Sequence, residues 1–235
     1  MKYSLITGGL GLIGTFIAKI LLDKKISKKV VCLDAFGRYS SSSNMNFEDF
    51  RKYRLDYLGK NIILERGEAK YPSVVNKIIS KYKPEYIFHL AALPLAKLQN
   101  LNSDEAAEGS ILTTTNIINA VENLRMISNY KLKKFVYASS SMVYGDFKSN
   151  TINEKHSTNP KEVYGTMKLA GEIVTKGLCN FYNINYNIIR PSAVYGPTDM
   201  NRRVSQIFIE KALRKELINI QGSNEKLDFT YVKDI

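Results

Sequence analysis

Thr7-Gly8-Gly9-Leu10-Gly11-Leu12-Ile13-Gly14 is the stretch on which the fold turns. An apolar run, Ser4-Thr7, precedes it and reads as a strand. Behind it Ile13, Phe16, Ile17, Ile20 and Leu21 recur at helical spacing. Glycines at 8, 11 and 14 allow a tight turn, close approach of backbone N–H groups to a pyrophosphate, and close packing of helix on sheet. The first turn of the helix then presents its positive end to the phosphates. Glycine triplets occur in many loops; a strand before and a helix after give this one the context of a dinucleotide site. Asp34 closes the second apolar run, 20 residues after Gly14. A carboxylate there accepts hydrogen bonds from the adenosine ribose hydroxyls and repels a 2′-phosphate, which favours NAD over NADP. Arg38, four residues on, pulls the other way.

Outward from that unit, apolar runs alternate with amphipathic stretches. Strands are predicted over Ser4-Thr7, Val30-Asp34, Ile62-Arg66, Tyr86-Leu90, Lys134-Ser139 and Asn185-Pro191. Helices are predicted over Gly11 to Lys24, Tyr71 to Lys81, Ser110 to Asn123 and Val163 to Tyr182. The serine-rich segment Gly37 to Asn46 reads as a loop. Such alternation implies right-handed βαβ units and a parallel sheet buried on both faces. The expected fold is α/β, a Rossmann-type doubly wound parallel sheet over residues 1–190. Residues 191–235 differ: a Tyr195-Gly196-Pro197 turn, a helix over Val204 to Lys215, then Gly222 and a short strand over Phe229 to Val232. They read as the start of a small second lobe on the substrate side.

The 235 residues carry a net charge of +12, with 44% apolar and 24% charged residues. This is the composition of a globular domain. No run is long enough to span a bilayer, and the glycines from 8 onward break up the only apolar start that could pass for a secretory signal. We read a cytoplasmic protein with no membrane association. The basic residues lie in separate doublets such as Lys24-Lys25, Lys28-Lys29 and Lys133-Lys134, without interleaved aromatics, so nucleic acid is not the expected partner. Cys32 and Cys179 have no metal-ligand spacing, and no metal site is expected.

Tyr164-Gly165-Thr166-Met167-Lys168 sets a phenol and an ammonium at i and i+4, on one helix face. A phenol with a pKa of about 10 is a poor base at neutral pH. A neighbouring ammonium, with the positive nicotinamide of an oxidised cofactor, favours the phenolate. Tyr164 could then take a proton from a substrate hydroxyl while hydride leaves, and return it on reduction. Lys168 could also hold the nicotinamide ribose. Ser139-Ser140-Ser141 ends a strand at the carboxyl edge of the sheet, where ligands bind. His89 ends an apolar strand and reads as a core histidine; His156 lies in a polar stretch and reads as a surface residue.

Six motifs now stand in order: Thr7 to Gly14; His89-Leu90-Ala91-Ala92; Ser140-Ser141-Met142-Val143-Tyr144-Gly145; Tyr164 to Lys168; Arg190 to Pro197; and Leu227 to Asp234. Together the set resembles the extended short-chain dehydrogenases, specifically the NAD-dependent epimerase/dehydratase family acting on nucleotide-diphosphate sugars. The resemblance implies that Gly8, Gly11, Leu12 and Ile13, with Gly14, contact the pyrophosphate, and Asp34 the adenosine ribose. It places Glu68 near the adenine, Leu90, Ala91 and Ala92 along the cofactor groove, and Pro191 and Val194 by the nicotinamide. It makes Ser140 the third member of a catalytic set with Tyr164 and Lys168, and implies a homodimer formed through a four-helix bundle of the Ser110–Asn123 and Val163–Tyr182 helices.

The departures narrow the chemistry. In the 4,6-dehydratase branch the two positions after the triad hydroxyl carry acids that eliminate water; here they are Ser141 and Met142. Methionine cannot exchange the proton that elimination requires. The resemblance therefore implies a nucleotide-sugar epimerase or dehydrogenase, oxidising a hydroxyl, at carbon 4, by hydride transfer to NAD. Ser140 and Ser141 would face the substrate. The family's usual Asn and Arg contacts to the sugar nucleotide are Ala193 and Leu227 here, so Arg202 and Arg203 become candidates for the diphosphate, beside the reading of a solvated arginine pair. Family members run on past the Tyr-Val-x-Asp motif, so the expected substrate lobe is incomplete within this sequence. The rival reading is a non-catalytic NAD-binding regulatory or scaffold protein of the same fold. The altered substrate positions favour it; the intact Ser140, Tyr164 and Lys168 set opposes it.

Overall fold

Val30-Val31-Cys32-Leu33 alternates between two apolar environments, and this decides the layering. Val31 and Leu33 join Leu5, Ile87 and Phe135 in one core. Val30 and Cys32 join Ile6 in another on the opposite face. A strand buried on both sides has to lie inside a three-layer sandwich.

The computed structural model describes residues 2–36, 47–92, 102–147, 151–199, 204–220 and 227–235. Six strands form one parallel sheet: β1 (Tyr3–Thr7), β2 (Lys29–Asp34), β3 (Ile62–Arg66), β4 (Tyr86–His89), β5 (Lys134–Ala138) and β6 (Tyr186–Ile189). Their spatial order is β3-β2-β1-β4-β5-β6. The order reverses between β1 and β4, the topological switch point at which such sheets bind ligands. Helices α1 (Leu12–Asp23) and α2 (Phe47–Leu58) follow β1 and β2. Leu21 of α1 and Leu58 of α2 pack into the Val30–Cys32 core. Helices α3 (Pro72–Tyr82), α5 (Thr113–Ile127) and α6 (Val163–Phe181) cover the other face, through residues such as Ile79, Ile117 and Cys179. A short α4 (Ser103–Ala107) and one π-helical turn (Glu108–Leu112) lead into α5. The expected α/β fold with a doubly wound parallel sheet is present.

Three expectations need correction. Helix α2 was not foreseen: Phe-Glu-Asp-Phe-Arg-Lys-Tyr-Arg-Leu-Asp-Tyr-Leu alternates charge with apolar residues and leaves only a thin apolar stripe. The fifth helix starts three residues later than expected, because the backbone from Glu108 to Leu112 takes the wider π turn. The expected strand over Phe229–Val232 is a single bridge, Tyr195 to Tyr231, joined by Val232 N–H to Tyr195 O at 2.9 Å and Tyr195 N–H to Thr230 O at 3.0 Å. Phe229 is exposed, so no second strand face holds a longer ladder there. Helix α7 (Val204–Leu213) forms where a helix was expected. The expected loop over 37–46 lies outside the described residues.

Candidate active site

A cleft of about 580 Å³ opens at the carboxyl ends of the strands. Gly8, Gly11, Leu12, Ile13 and Gly14 line one side, with Asp34 at the β2 end. Leu90, Ala91 and Ala92 line the floor beyond β4. Ser140, Ser141, Tyr164, Lys168, Pro191 and Val194 line the other side. Residues far apart in the chain thus meet in one cavity.

The glycine turn is shaped for close approach. Gly8 has φ +69°, and its N–H donates to Leu33 O at 2.8 Å. A Cβ on Gly14 would stand 2.5 Å from Gly8 O, inside any real carbon contact. The N-cap of α1 is Gly11, which has no side chain to close the first helical turn. The turn is also held from two sides at Leu10. Asp34 Oδ2 accepts the Leu10 N–H at 3.0 Å while Oδ1 accepts the Phe36 N–H at 2.9 Å. Arg54, buried on α2, donates to Leu10 O at 2.6 Å and to Thr198 Oγ1 and O at 3.0 and 2.5 Å. Asp34 also acts on Cys32: burial first, then this carboxylate, pushes the Cys32 thiol up to about 12.

The Leu90–Ala92 floor is tied down through Thr7. Its hydroxyl accepts the Ala91 N–H at 3.2 Å and lies 2.7 Å from His89 Nδ1. Thr113 donates its own proton to Gly109 O at 3.0 Å, so at 3.2 Å from Nε2 it acts as acceptor. The histidine therefore carries its proton on Nε2, and Nδ1 accepts from Thr7. Complete burial, with the Lys168 charge nearby, pushes His89 down to about 3. The expected core histidine is a core histidine.

Across the cleft, Ser140 caps a 3₁₀ turn over Ser141–Tyr144, accepting the Met142 N–H at 3.2 Å. Ser141 N–H donates to Pro191 O at 3.1 Å, which joins the β5 tip to the Arg190-Pro191 turn. Tyr164 and Lys168 sit one turn apart on α6. Lys168 Nζ lies 5.8 Å from the Tyr164 ring centre and 5.3 Å from that of Tyr137. It donates to Ala138 O at 2.7 Å. Burial alone pulls its ammonium down to about 8. Beneath it Glu172, fully buried, accepts from Ser139 Oγ at 2.6 Å and from Arg190 Nε and Nη2 at 2.7 and 2.6 Å.

Some expectations fall elsewhere. Glu68 is half exposed, 3.4 Å from Lys70 Nζ, and is not part of the described cleft lining. Arg202 and Arg203 lie outside the described residues. His156 is half buried, packed edge-on against Tyr144 at 5.9 Å, where a surface position was expected. Sequence reasoning missed Arg54, Glu172, Phe36 and Arg51. The available signal for Arg54 was its place four residues from both Phe50 and Leu58, and it was masked by the charge-rich stretch around it.

The geometry defines a dinucleotide-binding Rossmann fold whose cleft also holds a tyrosine–lysine pair. The chain belongs to the NAD dependent epimerase/dehydratase family, whose model matches residues 4–235. It is 30% identical over 240 residues to a putative UDP-glucose 4-epimerase of Methanocaldococcus jannaschii, covering 98% of this chain and 70% of that protein. It is 29% identical over 244 residues to a dTDP-D-glucose 4,6-dehydratase of Dictyostelium discoideum, covering 98% of this chain and 53% of that protein. Among solved structures it resembles the UDP-glucuronic acid 4-epimerase of Bacillus cereus, seen with UDP-glucuronic acid and NAD, at TM-score 0.82 and 25% identity, covering 99% of this chain and 70% of that one. The chain thus spans from about half to about 70% of these relatives.

NAD is the cofactor of this family, and the residues present fit it. The glycine turn leaves the space that a Cβ would fill, and a carboxylate stands at the β2 end of the same cleft. Among the described residues no helix is long and apolar enough to cross a membrane.

Proposed function

We propose that the chain carries the hydride-transfer site of an NAD-dependent nucleotide-sugar epimerase or dehydrogenase that oxidises the carbon-4 hydroxyl and does not eliminate water. The observation that carries this reading is that Ser140, Tyr164 and Lys168 line the same cleft as the glycine turn, with Met142 on that lining two residues after Ser140. Bound NAD would accept hydride from the sugar carbon and return it. The chain's own residues handle the proton and the positioning. The Lys168 ammonium beside Tyr164 favours the phenolate. Tyr164 takes the proton of the sugar hydroxyl and gives it back to the reduced product. The Ser140 hydroxyl hydrogen-bonds the same oxygen, and Ser141 lies along the sugar. Asp34 receives the adenosine ribose, the Gly8–Gly14 turn the pyrophosphate, Leu90 to Ala92 the dinucleotide, and Pro191 and Val194 the nicotinamide.

In this reading residues 191–235 begin the substrate lobe on a Rossmann unit of residues 1–190, and Arg202 and Arg203 approach the diphosphate. The protein works in the cytoplasm as a homodimer through α5 and α6. Ile173 and Phe181 on α6, 64% and 79% exposed, with Met126 and Ile127 at the end of α5, support that pairing as an apolar surface to be covered. The Dictyostelium relative keeps 4,6-dehydration as the second reading.

Incubation with UDP-, GDP-, dTDP- and CDP-sugars, followed by product analysis, decides between them. A C4 epimer or a 4-ketosugar supports the proposal. A 4-keto-6-deoxy product would overturn the exclusion of elimination. Tyr164→Phe should abolish turnover with NAD still bound; an undiminished rate would remove Tyr164 from its role.

A further inference from the structure

Lys168 and Glu172 are four residues apart on α6, both buried. Opposite charges at that spacing ordinarily pair along the helix. Here they do not. The Lys168 ammonium donates upward to Ala138 O at 2.7 Å. Both Glu172 oxygens are taken by the Arg190 fork, at 2.7 and 2.6 Å, and one also receives the Ser139 hydroxyl at 2.6 Å. We infer that Arg190 is a positioning residue for the Tyr164–Lys168 pair: its guanidinium occupies the Glu172 carboxylate and so leaves the Lys168 ammonium to the cleft. This rests on the reading of Tyr164 and Lys168 as the catalytic pair.

The competition favours Arg190 for geometric reasons. A guanidinium matches a carboxylate with two parallel bonds, whereas an ammonium offers a point charge. Arg190 is itself held. Its Nη1 donates to Tyr144 OH at 2.9 Å and to Glu154 O at 3.3 Å, and its plane lies 4.8 Å from the Tyr144 ring centre. The other cation near Glu172 is Lys176, half exposed and 3.7 Å away. Without Arg190, a fully buried carboxylate would face a buried ammonium one turn above it. The Lys168 side chain would then swing toward Glu172 and away from Tyr164. The same hub ties the catalytic parts together, since Ser139 precedes Ser140 and Arg190 precedes Pro191.

The titratable groups around Lys168 are Tyr164 and Glu172 on α6, Tyr137 on β5 and His89 on β4. Loss of the ammonium from the Tyr164 side raises the pH at which that phenol ionises. The test is the ultraviolet phenolate titration of the NAD-saturated chain, with Tyr164→Phe variants subtracted to isolate Tyr164. In Arg190→Met the Tyr164 midpoint should rise by about one pH unit. In Arg190→Met/Glu172→Met, where no carboxylate remains to capture Lys168, it should return to the wild-type value. A residue with only a structural role would leave the double variant at least as perturbed as the single. An unmoved midpoint in Arg190→Met, or an unrescued double variant, overturns the inference. If Arg190→Met does not fold, Arg190→Lys carries the test: a smaller rise supports the inference and no rise overturns it. The titration needs no turnover. If wild type turns over no sugar, the functional reading fails while the positioning role is still decided. If it does turn over sugar, Arg190→Met should lose about 100-fold in kcat, the cost of a reacting group misplaced by about 1 Å, and the double variant should recover most of it.

Discussion

Asp34 reaches from the end of β2 to the glycine turn at the end of β1 and accepts the Leu10 N–H at 3.0 Å. One carboxylate therefore shapes the glycine turn and lines the cleft at the β2 end. Both of its oxygens already accept a backbone N–H, from Leu10 and Phe36, so it is pre-oriented before a ribose arrives. Asp34→Ala should weaken NAD binding by about 10- to 100-fold, the loss of one or two charge-assisted hydrogen bonds. Calorimetric titration with NAD measures this. Unchanged affinity would place the ribose elsewhere.

Gly14 tests the turn from the other side. A methyl group there would sit 2.5 Å from Gly8 O and 2.9 Å from Gly9 Cα, both backbone atoms that cannot swing away. Gly14→Ala must push α1 off the turn. NAD affinity should fall by at least about 10-fold, with a smaller loss of stability, about 1–2 kcal/mol. Calorimetry and urea melts of the same variant separate the two; a stability loss without an affinity loss would mean the turn does not hold the cofactor.

These two sites were legible in the sequence because their logic is local. The glycine spacing, the acid 20 residues on, and the i, i+4 phenol and ammonium are each set within one βαβ unit or one helix turn. Arg54, Glu172 and Arg190 were not legible in that way. Arg54 meets Thr198, 144 positions away, and Arg190 meets Tyr144, 46 positions away. Those meetings exist only once the sheet order is fixed, and nothing in the flanking residues announces them. Helix α2 was missed for a related reason: its apolar stripe is thin, and the packing of Leu58 is completed by Arg54 reaching into the loop.

His89 gives a pH test of the core. In the folded chain its imidazole is held neutral down to about 3, against an ordinary value of 6.5. The unfolded chain takes up that proton as pH falls through 6.5, and the folded chain does not. Wild-type stability should therefore fall between pH 6.5 and 3 by a histidine contribution that His89→Gln lacks. At pH 7 the variant should be less stable, having lost part of the Thr7–Thr113 relay. By about pH 4.5 the gap between the two should narrow by about 2 kcal/mol. Urea midpoints at the two pH values measure it, and a constant gap would mean that His89 is protonated in the fold.

Lys168 carries the opposite signature, a cation kept where burial disfavours its charge. Its pKa in the folded chain is about 8, against 10.5 for an ordinary lysine. Between those values the unfolded chain binds more protons than the folded one, so wild-type stability climbs as pH rises through that window. Below pH 8 the folded state carries the full cost of a buried ammonium that is offset only in part by the Ala138 carbonyl. Lys168→Met keeps the side-chain length and removes the charge. It should abolish hydride transfer, and near pH 7 it should raise stability by about 1–3 kcal/mol. That gain should shrink above pH 8 and vanish by about 10.5. A site built for function at the expense of stability predicts this pairing of lost turnover and raised urea midpoint. If Lys168→Met instead proves less stable than wild type at pH 7, the lysine is a structural anchor for the β5 tip, and the cost of its burial is already met by the fold.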